Sequence, residues 1–155
     1  MARTSLLSSL RRHGPADYAL LGEATGALAA SAAAIRMLPF KRVAASAARA
    51  GAGRTRPAGE SELVRELVWA VEAAARRVPW RTVCFQKGLA LHWMLRRRGI
   101  ASLLHYGVGK AVEGEALAAH VWVSVGGEIV IGGEEAPRFA CLATFPATRQ
   151  SPAIR

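Results

Sequence analysis

The stretch that decides the fold runs from Thr82 to Gly99, TVCFQKGLALHWMLRRRG. Its periodicity predicts one helix over about residues 82–98. Thr82 is the expected N-cap, Arg96, Arg97 and Arg98 crowd the negative end of the dipole, and Gly99 is placed to end the helix. Cys84 falls in the first turn. Backbone N–H groups there have no acceptor in the helix and, with the dipole, favour a thiolate or a developing oxyanion. Cys84, Gly88, Leu91 and Leu95 form one stripe. A glycine one turn below the thiol lets a strand pack close against the helix.

Upstream, Ser61 can cap a helix whose first turn carries Glu62. Leu67, Val71, Ala74 and Val78 give that helix a buried face, and Pro79 ends it. Before it, Gly51, Gly53, Pro57 and Gly59 read as a linker. Residues 1–58 then form a basic arm: a helix from about Ala16 to Leu38, stopped by Pro39, and a shorter one to about Arg49. Downstream the period changes. Ser102–Val108, Ala118–Val125 and Glu128–Ile131 read as strands, with Gly126-Gly127 as a hairpin turn. Helices first and antiparallel strands after indicate an α+β domain over residues 59–155.

The chain has 155 residues, 52% of them hydrophobic, which supports a real core and excludes global disorder. It holds 21 Lys+Arg against 11 Asp+Glu, and most of the excess lies in the first 58 residues. Such an arm suits an acidic partner surface or is simply a solvated face. No zinc-finger spacing or RNA-binding aromatic motif accompanies the charge, and no nucleic-acid partner is expected. Arg3, Arg11 and Arg12 interrupt any secretory h-region. Asp17, Glu23 and Arg36 argue against a membrane-spanning Ala-rich helix, so the expectation is cytoplasmic. Two cysteines make no disulfide scaffold, and no P-loop suggests a nucleotide.

Alternation puts His120, Trp122 and Ser124 on one face of their strand. A sheet packed on the Cys84 helix would present His120 to the thiol, the nucleophile-and-base logic of cysteine hydrolases. A buried inert cysteine and a hydrogen-bonded strand histidine are the competing reading. Cys141, in an apolar run, reads as core. His92 and His105 lack a close ligand partner, so no metal is expected. The tryptophans 69, 80, 93 and 122 read as core or pocket walls, with Trp80 and Trp122 expected to touch substrate.

The wording of Val78–Cys84 (VPWRTVC), Gly88–Leu91 (GLAL), Leu95–Gly99 (LRRRG), Tyr106–Val108 (YGV) and Ala119–Val123 (AHVWV) resembles the lasso-peptide biosynthesis B2 proteins, leader peptidases of the transglutaminase-like branch of cysteine-protease folds. The similarity covers about Ser61 to Pro146. It implies a transglutaminase-like, papain-like core in which Cys84 is the nucleophile and His120 the base. It implies hydrolysis of a ribosomally made precursor peptide without a cofactor. The implied partners are a separate leader-binding protein and an asparagine-synthetase-like macrolactam cyclase. An acyltransferase using the same residues, or a non-catalytic adaptor, are the alternatives.

The relatives carry an Asp after the hairpin where this chain has Gly132. Register then decides between Glu134 and Glu135. A two-residue turn pairs Val125 with Glu128 and leaves Glu135 diagonal to His120; a three-residue loop puts Glu134 opposite it. A bulged loop is preferred here, making Glu134 the expected acid. A backbone carbonyl orienting the imidazole is the remaining option.

Overall fold

A computed structural model of the protein describes residues 14–49, 60–110 and 116–147. Four helices precede an antiparallel sheet. They are α1 (Pro15–Met37), α2 (Phe40–Ala48), α3 (Glu60–Ala75) and α4 (Cys84–Arg97). The strands are β1 (Leu103–Lys110), β2 (Leu117–Val125), β3 (Glu128–Ile131) and β4 (Ala140–Phe145), in the spatial order β3-β2-β1-β4. A 3-10 turn, Ala136–Arg138, leads into β4. The fold is the expected α+β arrangement. The fourth strand was not foreseen: its sequence, ACLATF, reads as an apolar run, and its pairing with β1 is set only by tertiary contact.

The first helices are not a free arm. Pro15 occupies the first turn of α1, and the Asp17 carboxylate accepts a 2.8 Å bond from the Gly14 N–H. Ala24, Leu28 and Ser31 then fall on one buried face against α3 and α4. Ala24, Leu28, Val43 and Ala47 share one hydrophobic cluster with Leu67, Leu91, Val121 and Val123. The expected boundary near residue 58 lies outside the described residues, but the helices on either side of it bury a common core.

That packing fixes α4 along its length. At its start, Ser31 Oγ donates to the Gln86 carbonyl at 3.1 Å, and Phe85 sits among Phe40 and Tyr106 with ring centroids 5.6–6.3 Å apart. At its middle, His92 bonds the Ala47 carbonyl of α2. At its end, Arg98 forks onto both carboxylate oxygens of Glu23 at 2.8 and 2.6 Å, which holds the Glu23 carboxyl below the usual range. Gly88 performs the role expected of it. A Cβ there would stand 2.7 Å from Val121 Cγ1, so only glycine lets β2 approach this closely.

Candidate active site

Helix α4 begins at Cys84 itself, one turn position later than the Thr82 cap predicts. Val83 is the N-cap and offers no side-chain hydrogen bond. The first intrahelical acceptor is the Val83 carbonyl, bonded by the Lys87 N–H at 3.2 Å. The amides of Cys84, Phe85 and Gln86 therefore have no acceptor within the helix. A half-buried thiol thus stands among uncapped donors at the positive end of a dipole.

Cys84 and His120 line one cleft of about 920 Å³. Val68 and Glu72 of α3 form one wall, and residues 129–135 form the other. Lys87, one turn from the thiol, pairs with Glu72 at 3.1 Å across its floor. Val121 packs toward Gly88, so alternation sends His120 to the other face of β2. Between Cys84 and His120 the cleft is lined by Ile129, Val130 and Ile131 of β3 and by residues 132–135 that follow it. Among the described residues no hydrogen bond joins the sulfur to the ring.

The imidazole is held by backbone. His120 Nε2 lies 2.8 Å from the Gly132 carbonyl. A carbonyl only accepts, so Nε2 carries the proton and the neutral ring has its lone pair on Nδ1. The ring also packs on Phe139 at 5.0 Å and on Trp122 at 6.0 Å. Trp122 in turn stacks on His105 at 5.5 Å and 15°. His105 is pinned between two hydroxyls, Thr144 Oγ1 at 3.1 Å and Ser124 Oγ at 2.8 Å, and burial lowers its pKa. Three side chains from two strands thus form a continuous stack ending at the catalytic candidate. Sequence reasoning placed Trp122 beside His120. It missed His105, whose place depends on the β1–β2 register that pairs it with Trp122.

The expected three-residue loop does not form. Gly126 and Gly127 form a two-residue turn with φ of 60° and 89°, close to type I′, and Val125 pairs with Glu128. Val130 then bulges, since Ser124 pairs with Ile129 but Val123 with Ile131. The chain leaves the strand at Gly132, at φ +76°. Glu134 lines the cleft without reaching the ring, whereas Glu135 Oε2 lies 3.8 Å from His120 Nδ1, on a side chain 60% exposed. No carboxylate fits at position 132. A Cβ there would lie 2.6 Å from the Val121 carbonyl, and the left-handed φ favours glycine. The carbonyl that replaces it faces the same ring.

The other expectations divide. Trp80 and Trp122 are not among the residues lining the cleft. Trp80 packs against the hydrophobic cluster, and Trp122 is buried in the histidine stack. Cys141 is exposed on β4, not core, with its sulfur 3.7 Å from Thr144 Oγ1. His92 is fully buried, donating from Nε2 to the Ala47 carbonyl and accepting at Nδ1 from Ser102 Oγ, each at 2.8 Å.

A helix that starts on a cysteine, packed on an antiparallel sheet that carries a histidine into the same cleft, defines a cysteine-protease-like fold. A family model described as the transglutaminase-like superfamily matches residues 26–144, and the chain belongs to that superfamily. The matched region begins within α1, consistent with that helix being part of the folded domain. No curated protein and no solved structure gave a significant match.

Proposed function

We propose that this protein is a cytoplasmic cysteine peptidase that removes the leader from a ribosomally synthesised lasso-peptide precursor, using Cys84 and His120. The observation that carries the reading is that the uncapped start of α4 and the buried imidazole of β2 share one cleft. The resemblance of the VPWRTVC and AHVWV segments to lasso leader peptidases supplies the substrate class.

In this mechanism Nδ1, the unprotonated nitrogen, takes the Cys84 proton when substrate binding brings the groups within reach. The sulfur attacks the carbonyl at the leader–core junction, and the free amides at the start of α4 receive the oxyanion. The imidazolium returns its proton to the leaving amine of the core, leaving the leader as a thioester on Cys84. Water, deprotonated by Nδ1, hydrolyses the thioester and restores the thiol. Gly132 keeps the ring in the required tautomer, and Glu135 favours the transient imidazolium through its charge. A leader-binding protein presents the precursor, and a cyclase joins the freed amine to a core carboxyl.

The test is incubation with the cognate precursor and its leader-binding protein, read by mass spectrometry. Hydrolysis yields two fragments whose masses together exceed the precursor by one water. An amine adduct instead would identify acyl transfer. Unimpaired maturation with Cys84→Ala would leave only a scaffolding role.

A further inference from the structure

Seven consecutive residues, 129–135, line the cleft. Side chains of a strand alternate between faces, so a cleft lying on one face would meet every second residue. A continuous run that starts within β3 means that the cleft follows the strand's edge. That edge is the outermost of the sheet: β3 pairs with β2 alone, and no described strand lies beyond it.

The turn geometry says which backbone groups face outward. In a two-residue type I′ hairpin the flanking residues, Val125 and Glu128, exchange hydrogen bonds with each other. The next pair, Ser124 and Ile129, is then non-hydrogen-bonded, and the N–H and C=O of Ile129 point away from β2 into the cleft. The Ile129 side chain is itself 49% exposed. Beyond it the Val130 bulge and Gly132 bend the chain toward His120.

We infer that the substrate binds as an extended strand added to the free edge of β3, hydrogen-bonded through its main chain to Ile129 and led along residues 130–133 to Cys84 and His120. This rests on the peptidase reading of the same cleft. Edge addition supplies affinity through main-chain bonds and leaves side-chain selection to the walls. Here those walls are the apolar Val68 and Ile131 and the Glu72–Lys87 pair. The occupant is therefore a peptide segment with free backbone amides, not a folded protein face or a small polar metabolite.

The test uses covalent labelling of Cys84 by two probes, iodoacetamide and tripeptidyl vinyl sulfones; in the latter the sulfur adds to the vinyl carbon and a proton adds beside the sulfone. Methylating the backbone amides of the peptide probes should slow labelling of the wild-type protein by about tenfold, the worth of one or two lost hydrogen bonds. Ile129→Pro, which removes only an outward N–H and suits an edge strand, should slow peptide labelling to a similar extent. Ile129→Ala, which keeps the N–H, should lose less of it than the proline variant, and the iodoacetamide rate at Cys84 normalises each peptide rate for the reactivity of that variant's thiol. Equal labelling of wild type by methylated and unmethylated probes would overturn strand addition, whether or not the proline variant folds. Iodoacetamide rates that are the same in wild type and His120→Ala would instead count against the peptidase assignment.

Discussion

Two histidines lie on the elements that meet at the core of this molecule, and their surroundings are opposites. His92 is enclosed in α4, with a carbonyl on one nitrogen and a hydroxyl on the other. Burial pushes its pKa down to about 4, so it stays neutral and serves as a rivet between α2, α4 and Ser102, the residue before β1. His120 has one nitrogen fixed by Gly132, while the other, among the described residues, meets only the 3.8 Å approach of Glu135 at the cleft. Both rings are buried; what separates them is that His92 has a hydrogen-bond partner on each nitrogen, whereas His120 keeps one nitrogen without a hydrogen bond among the described residues, beside a cleft.

That contrast can be broken by substitution. His120→Ala should lower precursor cleavage by about a thousandfold with little change in melting temperature. His92→Ala should do the reverse, retaining turnover per folded molecule while losing stability. The acid response sharpens the point. His92 titrates near 6.5 when unfolded and about 4 when folded, so protons bind the unfolded chain first. Its contribution is complete above pH 6.5 and is lost as pH falls toward 4, on the order of 3 kcal/mol in denaturant titrations. A smaller effect is expected at Gly132. An alanine there meets the Val121 carbonyl at a left-handed φ, costing about 1–3 kcal/mol and turning the carbonyl that orients His120. Both melting temperature and turnover should fall. The smallest effects belong to the exposed acids. Glu135→Gln should slow cleavage by about threefold or less, in keeping with an exposed charge pair, and Glu134→Gln should leave the rate unchanged.

The histidines also show which parts of the molecule the sequence made legible. Pro39, Pro79 and Gly99 stop chains locally, so the helix ends were readable to within a few residues. Gly88 and the Gly126-Gly127 turn announced the close helix–strand approach and the hairpin, because each depends on a missing Cβ. That Cys84 starts a helix and His120 sits in a strand was legible, because both are local features, and the structure places the two residues on one cleft. Which glutamate approaches His120 was not legible. That depends on a bulge at Val130 and a left-handed step at Gly132, and neither follows from a two-residue period. The His105–Trp122–His120 stack was hidden for a related reason: it needs the register between β1 and β2. In the basic first third, a charge count does not reveal that Ala24 and Leu28 are buried.

The central claim is that Cys84 and His120 act as one unit, and a double-mutant cycle on precursor cleavage tests it most directly. Wild type, Cys84→Ala, His120→Ala and the double variant are compared with saturating leader-binding protein. The account predicts that each single substitution removes nearly all cleavage and that the double variant is no slower than the slower single. Cleavage by Cys84→Ala at the wild-type rate, or two losses that multiply in the double variant, would contradict it.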